Sequence, residues 1–359
     1  MSRIQKCRDL ILELGLDGII ITNPENRRYL SGFTGSAGVL LISGTQAFLV
    51  TDFRYWEQAG QELARAGQGF ELIKQGPDLW RSIADLIGSL GWRRTGFEAE
   101  SITYSEYQKL EKMTTDWLLI PTSGLVEKLR SAKEPEEIES LARAAEITDQ
   151  AWRETLKIIK PGVREQEIAL EFDYQLRVNG AEGSAFTTIV ASGPRAALCH
   201  GLASEKPVQS GELLIIDGGA LYQGYHADMT RTVALGKASP EQVKVYQIVL
   251  KAQQMALAIL KAGLTGNQVD QVAREYISSE GYGANFGHGL GHSVGLKVHE
   301  QPRLAATDSS TLPAGAVVTV EPGVYLPGWG GVRIEDLVVV ENEGIRNLTG
   351  SPKQDLIEL

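Results

Sequence analysis

Short apolar runs and helical repeats alternate along the first third of the chain. Residues 16–22, 39–43 and 46–50 are short and mainly apolar, and turn-forming residues adjoin them, which predicts three strands. Residues 79–91 place apolar side chains at helical spacing and end on a glycine, which predicts a helix. Elements of this size in this order predict a small α/β domain over residues 1–123.

The remainder of the chain, residues 124–359, shows the same order of elements twice. In each half two helical stretches precede strand-like runs: 133–160 and 165–179, then 240–261 and 268–280. The first stretch is rich in Glu, Ala and Leu, which favour helix, and a Pro-Gly pair follows it. No repeat is visible in the sequence itself, so the pattern predicts two halves that are alike in element order only.

Composition narrows the possible classes of function. The chain has 359 residues and a formal net charge of −10, so it carries no basic footprint for nucleic acid. No apolar run is as long as a membrane span, and acidic residues interrupt the apolar periodicity of the N-terminus, which predicts an amphipathic helix rather than a signal peptide. Two cysteines, Cys7 and Cys199, make no disulfide framework. We therefore expect a soluble, cytoplasmic, two-domain protein.

Four carboxylates and one imidazole in the second domain are the candidate chemistry. They are Asp217, Asp228, His292, Glu321 and Glu335. A mostly oxygen donor set with no thiolate suits hard or borderline divalent ions. Two such ions about 3.5–4 Å apart can activate a water and polarise a carbonyl, so the set indicates metal-assisted hydrolysis.

The carboxylates follow or lie within strand-like runs. Asp217 ends an apolar run, and Asp228 lies on one face with Thr230 in a second run that begins near residue 224. A hairpin of these two runs would bring Asp217 and Asp228 together. Arg333 and Glu335 alternate in the same way within residues 332–337. Carboxylates that point inward from strands are costly to bury unless a cation neutralises them.

Other combinations of histidine and cysteine are weaker candidates. Histidines 288 and 292 have the spacing of a zinc-binding helix, but glycines at 287, 289, 291 and 295 argue against a helix there. His226 is two residues from Asp228 and is predicted to be a surface or supporting histidine. Cys199 and His200 could form a nucleophile pair, but adjacent residues on a strand face opposite sides.

The motifs around the five residues identify a family resemblance. Over about residues 131–345 the chain resembles the "pita-bread" metallopeptidases, which include methionine aminopeptidase, aminopeptidase P and prolidase; the motifs are LLIIDGG, YHADMTRT, HGLGHSVG, TVEPGVY and GVRIEDL. The resemblance implies an α+β protein. Its pseudo-twofold catalytic domain with a curved antiparallel sheet follows a smaller α/β domain of the creatinase type. It also implies a homodimer and two divalent ions. The donor set, with one imidazole among four carboxylates and no thiolate, favours manganese over cobalt or zinc.

The resemblance also implies individual roles. Asp217 would bind one metal ion, His292 and Glu321 the other, and Asp228 and Glu335 would bridge them. Glu321 would also exchange a proton with the attacking hydroxide.

Further residues match family positions around the substrate. His200 and His299 match histidines that are not ligands, and His299 follows His292 by seven residues, which is why His292 rather than His288 is chosen as the ligand. His288 matches a histidine of the proline-specific branch, and Tyr325 a tyrosine near the site; core packing is an equal alternative for Tyr325. Thr230 and Arg333 are candidates for orienting the ligands. For Arg333 a salt bridge on the strand face is an equal alternative.

The predicted activity is hydrolysis of Xaa-Pro bonds in peptides with proline at the second position. Residues 29–38, with the sequence YLSGFTGSAG, resemble aminopeptidase P more than prolidase, which favours an Xaa-Pro aminopeptidase. A Gly-rich connecting loop is an equal alternative for this stretch. The alternative is an Xaa-Pro dipeptidase, in which Arg303 would bind the free carboxylate of the dipeptide. Methionine aminopeptidase usually lacks a comparable first domain. An inactive peptide-binding module is a different class of function, which the intact ligand set opposes.

Overall fold

A computed structural model describes residues 1–114 and 116–359, which form two compact units, Met1–Arg130 and Ser131–Leu359. The sequence prediction placed the domain boundary after residue 123. Helix α6 (Leu125–Arg130) falls within the first unit. In the described part of the chain no helix combines the length and the apolar character needed to cross a bilayer.

The first unit is built on a mixed six-stranded sheet with the order β4-β3-β2-β1-β5-β6. Its strands are β1 (Gly18–Ile21), β2 (Val39–Ser43), β3 (Ala47–Thr51), β4 (Glu71–Lys74), β5 (Arg94–Glu98) and β6 (Leu118–Thr122). The other helices of this unit are α1 (Arg3–Glu13), α2 (Pro24–Ser31), α3 (Trp56–Ala66), α4 (Leu79–Leu90) and α5 (Tyr104–Glu111). The three predicted strands and the predicted helix are confirmed, as is the amphipathic helix at the N-terminus.

Helix α4 shows why the sequence folds as predicted. The Asp78 side chain caps its first turn by accepting from the Arg81 N–H, and Gly91 ends it with a φ of 70°, a conformation that favours glycine. Its apolar face, including Trp80 and Ile83, is buried against the sheet.

The second unit contains two helix pairs, each followed by strands. The helices are α7 (Pro135–Thr155), α8 (Glu165–Val178), α9 (Pro240–Ile259) and α10 (Gly266–Ser279). The four predicted helices are confirmed, although α7 is shorter at both ends than predicted because Pro135 occupies its first turn and a 3₁₀ turn, Leu156–Ile158, follows it.

The strands of the second unit form two main sheets and two small ones. Those after α8 are β7 (Gly183–Ser184), β8 (Ile189–Ser192), β9 (Leu213–Gly218), β10 (Ala220–Tyr222), β11 (Tyr225–His226) and β12 (Met229–Ala234). Those after α10 are β13 (Gly291–Ser293), β14 (Glu300–Leu304), β15 (Val317–Val320), β16 (Gly323–Leu326), β17 (Gly330–Arg333), β18 (Asp336–Glu341), β19 (Gly344–Asn347) and β20 (Ile357–Glu358). The main sheets have the orders β20-β12-β9-β8 and β14-β13-β15-β18-β19.

Two strand predictions need correction. The run that begins near residue 224 is not one strand, because β10 and β11 form a small hairpin in a separate sheet before β12 returns along β9. The predicted strand over 332–337 is interrupted, because β17 ends at Arg333 and β18 begins at Asp336. Arg333 and Glu335 therefore do not lie on one continuous strand.

Candidate metal centre

Strands β9 and β12 bring the two aspartates together. Asp217 lies on β9 directly opposite Thr230 of β12, and Asp228 immediately precedes β12. Both aspartates are buried. Gly219 makes this approach possible, because a Cβ there would lie 1.8 Å from the carbonyl oxygen of Ala227. The predicted proximity of the two carboxylates is thus confirmed, although the connection between their strands is longer than a simple hairpin.

The second main sheet presents the other three residues. His292 lies on β13, Glu321 directly follows β15, and Glu335 directly precedes β18. The Thr319 hydroxyl accepts a hydrogen bond from the His292 backbone N–H at 3.0 Å and donates one to the Glu321 carboxylate at 3.1 Å. The region 288–292 is not helical, as the glycines predicted.

The five side chains line one cavity of about 430 Å³. His292 Nε2 lies 3.6 Å from Asp228 Oδ2 and 3.4 Å from Glu321 Oε1. One donor atom from each of Asp228, His292 and Glu335 lies within 4.8 Å of the others. The five residues that the motifs single out thus come from five separate strands or strand ends and line one cavity.

The electrostatics of the cavity favour a bound cation. Burial raises the pKa of Asp228, and the charges of Glu335, Asp217 and Glu321 raise it further. Burial and the neighbouring Glu321 likewise raise the pKa of Glu335, and burial raises the pKa of Glu321 to about 7. Asp217 Oδ1 and Glu335 Oε1 are buried and have no hydrogen-bond partner among the described residues. Carboxylate oxygens that converge without donors fit a divalent ion.

His292 fits the same interpretation. Burial lowers the pKa of His292 to about 3, so the ring is neutral. Its Nδ1 lies 3.2 Å from the Ser293 carbonyl oxygen, which can only accept, so Nδ1 carries the proton and Nε2 presents a lone pair. That lone pair faces the carboxylate oxygens of Asp228 and Glu321. A cation between the nitrogen and these oxygens would stabilise the arrangement.

Arg333 connects several of the predicted residues. Its guanidinium donates to Asp217 Oδ2 at 2.5 Å, to the Thr230 hydroxyl at 3.0 Å and to the Tyr325 hydroxyl at 3.0 Å. Thr230 in turn donates to Glu335 Oε2 at 2.7 Å. These bonds hold one oxygen of Asp217 and one oxygen of Glu335. The second oxygen of each carboxylate has no hydrogen-bond partner among the described residues. Arg333 therefore forms the salt bridge that the sequence left open and also orients Asp217.

His288 and Tyr325 form a hydrogen-bonded pair in the cavity wall. His288 Nε2 lies 2.9 Å from the Tyr325 hydroxyl, and His288 Nδ1 lies 2.7 Å from the Gly289 carbonyl oxygen. Burial lowers the pKa of His288 to about 4, so the neutral ring donates through Nδ1 and accepts the tyrosine proton at Nε2. Tyr325 thereby links His288 to Arg333.

The remaining predicted residues lie at the open side of the cavity. His200, His299 and Arg303 line it and are exposed. The His299 ring packs edge-on against the His292 ring at 4.3 Å between centroids, and Arg303 lies opposite His292 in the β13–β14 ladder. The Arg303 guanidinium makes no hydrogen bond or ion pair with any residue that the structure describes.

His226 lies outside the cavity lining, whereas Cys199 and His200 belong to it. His226 Nδ1 lies 3.1 Å from the Gly295 carbonyl oxygen, and this histidine is not among the residues that line the cavity. Cys199 and His200 lie in a turn rather than a strand, and both line the cavity, so the argument from opposite strand faces was wrong. No hydrogen bond joins their side chains among the described residues.

Sequence reasoning missed the apolar wall and the support behind it. Phe186, Ile189 and Val298 line the cavity without any motif to identify them. Asp270 and Arg274 of α10 bind the segment that carries His288. Their spacing of four residues on a predicted helix was the available signal.

Comparison with known proteins agrees with this geometry. Residues 139–342 match metallopeptidase family M24, and residues 3–132 match the creatinase/prolidase N-terminal domain. The solved Xaa-Pro dipeptidase from Bacillus anthracis is similar, with 46% identity and a TM-score of 0.96 over 99% of both chains.

Two further relatives cover nearly the whole chain. The X-Pro aminopeptidase structure from Thermotoga maritima has 42% identity and a TM-score of 0.91 over 100% of both chains. The Xaa-Pro dipeptidase of Pyrococcus furiosus is 36% identical over 98% of this chain and 99% of its own length. The predicted fold class, with a creatinase-type domain before a pita-bread catalytic domain, is confirmed, and the chain belongs to metallopeptidase family M24.

Proposed function

We propose that the protein is an Xaa-Pro dipeptidase that uses two divalent metal ions. The observation that carries this choice is Arg303, an exposed arginine without a described partner at the open side of the cavity. It can bind the free carboxylate of a dipeptide, which a longer peptide does not present at that position. The sequence analysis favoured an aminopeptidase, but relatives named Xaa-Pro dipeptidases favour its alternative. The Thermotoga maritima structure keeps X-Pro aminopeptidase as the second candidate.

The five residues at the centre are proposed to hold both ions. Asp217, Asp228, His292, Glu321 and Glu335 supply mostly oxygen donors, so manganese is the proposed ion. When bound, the ions supply Lewis acidity toward the scissile carbonyl and toward water. Homodimer formation and the cytoplasmic location stay predictions.

The protein's own side chains supply proton transfer and positioning. The Glu321 carboxylate, 3.4 Å from His292 Nε2 in the cavity, is proposed to exchange a proton with the attacking water. His299 and His200 stand at the open side, where each can donate a hydrogen bond to the carbonyl or to the leaving group. Arg333 and Thr230 hold Asp217 and Glu335 in place.

The substrate is proposed to bind between the apolar wall and Arg303. Proline makes a tertiary amide without an N–H, so its ring needs an apolar surface rather than an acceptor. Phe186, Ile189 and Val298 provide apolar surface in the cavity. At about 430 Å³ the cavity is near the small end of the about 300–1,000 Å³ range of small-molecule sites, which suits a dipeptide.

The proposed function is tested by substrate length. With manganese added, we expect rapid hydrolysis of Gly-Pro and at least about tenfold slower hydrolysis of Gly-Pro-Ala, because the tripeptide carboxylate is displaced from Arg303. Initial rates measured by amine release decide the question. Tripeptide cleavage as fast as dipeptide cleavage would establish the aminopeptidase instead, and hydrolysis of neither by metal-loaded protein would favour a binding module.

The two neighbouring histidines are expected to respond differently to substitution. His292→Ala should lose metal, because it removes a donor at the centre. His299→Ala should keep both ions and lower kcat by about 10²–10⁴-fold, the usual effect of losing a proton-transfer group. Metal analysis of dialysed protein together with Gly-Pro kinetics separates the two. Loss of both ions from the His299 variant would reverse the assignment.

A further inference from the structure

The residues on either side of His288 have no side chains that could anchor this segment. Glycines at 287 and 289 flank His288, and glycine leaves a chain more freedom than any other residue. His288 must nevertheless present Nε2 to the Tyr325 hydroxyl at 2.9 Å. The orientation of its ring therefore depends on what holds the surrounding main chain.

Helix α10 supplies that anchor through an ion pair between the buried Asp270 and the partly exposed Arg274. Arg274 donates to both oxygens of Asp270 at 2.8 Å, and the Asp270 side chain is 1% exposed. The same guanidinium donates to the Phe286 carbonyl oxygen at 2.9 Å and to the His288 carbonyl oxygen at 2.7 Å. Asp270 Oδ1 accepts from the Leu290 N–H at 3.0 Å. Every second residue of the segment, at 286, 288 and 290, is thus hydrogen-bonded to helix α10.

Ring contacts reinforce the main-chain bonds. The Arg274 guanidinium lies over the Phe286 ring at 4.4 Å, and the Phe286 ring stands edge-on to the His288 imidazole at 5.1 Å. Arginine's planar fork makes these contacts at once, which an ammonium group cannot do. The pair is therefore arranged to fix both the backbone and the ring plane of His288.

We propose that Asp270 and Arg274 are positioning residues that hold His288 against Tyr325 in the wall of the substrate cavity. Neither side chain lines that cavity, so the pair acts through His288 rather than on the substrate. The kinetic part of the proposal rests on the proposed Xaa-Pro hydrolysis; the placement of the His288 ring does not.

The kinetic test is a double-mutant cycle between Arg274 and His288. Arg274→Met should lower kcat/KM for Gly-Pro about 10–100-fold with metal content unchanged, the scale typical of residues that orient a site. In the His288→Ala background Arg274→Met should lower kcat/KM less than about twofold, because the ring that Arg274 positions is absent. Arg274→Lys, which keeps the charge but loses the fork, should fall between Arg274→Met and the parent.

A spectroscopic test needs no activity. In protein with ¹⁵N-labelled histidine, freed of metal, we expect the His288 signals to show one tautomer with Nδ1 protonated. Arg274→Met should shift them toward a tautomer mixture. The chain has five histidines, and His288→Ala assigns the signals. Arg143→Met is the matched control, since Arg143 forms an exposed pair with Glu146 on α7.

Two results would overturn the proposal. One is an equal loss of kcat/KM from Arg274→Met with and without His288, and the other is an unchanged His288 spectrum in the Arg274 variants. If the parent does not cleave Gly-Pro at all, the proposed function fails while the spectra still decide the placement of His288. If Arg274→Met does not fold, Arg274→Lys carries both measurements.

Discussion

Replacing Asp228 with asparagine is expected to abolish hydrolysis and at the same time to stabilise the metal-free protein. Asp228 is buried among Glu335, Asp217 and Glu321, and burial and these charges raise its pKa. Asparagine keeps the shape but removes one of the crowded negative charges. Without metal we expect a gain of about 1–3 kcal/mol in the free energy of unfolding, the scale of one unfavourable buried polar group. Loss of a proposed metal ligand should lower kcat by on the order of 10³-fold or more.

The stabilisation should depend on pH with a definite sign. A carboxyl group whose pKa is higher in the folded than in the unfolded state favours folding at low pH and ceases to do so as the pH rises through the folded value. Asp228, Glu335 and Glu321 all have raised pKa values, that of Glu321 to about 7. The unfolding temperatures of metal-free parent and D228N should therefore be close at about pH 4, near the unfolded pKa of aspartate, and separate toward pH 8.

Asp336 provides a matched control for this prediction. It is as deeply buried as Asp228 but is paired with Arg231 and Lys353. Asp336→Asn leaves the buried Arg231 and the partly buried Lys353 without their anionic partner, and we expect a loss of about 3–5 kcal/mol. Thermal unfolding after treatment with a chelator, together with metal analysis, compares the two variants. A destabilised D228N protein, or one that still binds two ions, would contradict the proposed centre.

Much of the fold could be predicted because local signals agree with the final structure. Helix α9 begins at Pro240 after a Ser239 cap, and α8 ends just before Asn179 and Gly180. The ends of both helices can therefore be predicted from neighbouring residues in the sequence. The five candidate ligands could be predicted because Asp217 and Glu321 each end a run of buried strand residues. A carboxylate in such a place needs a cation or a turn to explain it.

Contacts between distant segments could not be predicted in the same way. The bonds of Arg333 to Asp217 and to Thr230 span more than 100 residues, and nothing local to Arg333 specifies them. The separate β10–β11 hairpin was missed because its few residues continue the same alternation as β12. The choice between dipeptidase and aminopeptidase is hard to make from the sequence for a related reason, since it depends on a few side chains at the edge of the cavity rather than on the metal centre.

Removing the Arg303 side chain is expected to separate recognition of the dipeptide carboxylate from catalysis. Arg303 lies on β14 opposite His292, and its backbone N–H is held by Asp308 at 2.8 Å, so Arg303→Ala should leave the strand in place. Its exposed guanidinium makes no hydrogen bond or ion pair with the described residues, so it is available to bind a carboxylate. Losing a hydrogen bond to a charged group costs about 1.5–3 kcal/mol, so kcat/KM for Gly-Pro should fall about 10–100-fold, mostly through KM.

The same variant should behave differently toward a substrate without a free carboxylate. Gly-Pro amide should be hydrolysed by the parent at a rate like that of R303A on Gly-Pro, and the substitution should change its hydrolysis less than about twofold. Arg303→Lys should recover part of the Gly-Pro activity, because an ammonium group keeps the charge but not the two-pronged geometry. Arg346→Ala, at an exposed arginine 3.7 Å from Glu341, is the control for losing a surface charge. If R303A cleaves Gly-Pro as the parent does, Arg303 does not bind the carboxylate, and the aminopeptidase becomes the better proposal, because binding of the C-terminal carboxylate is what would confine the enzyme to dipeptides.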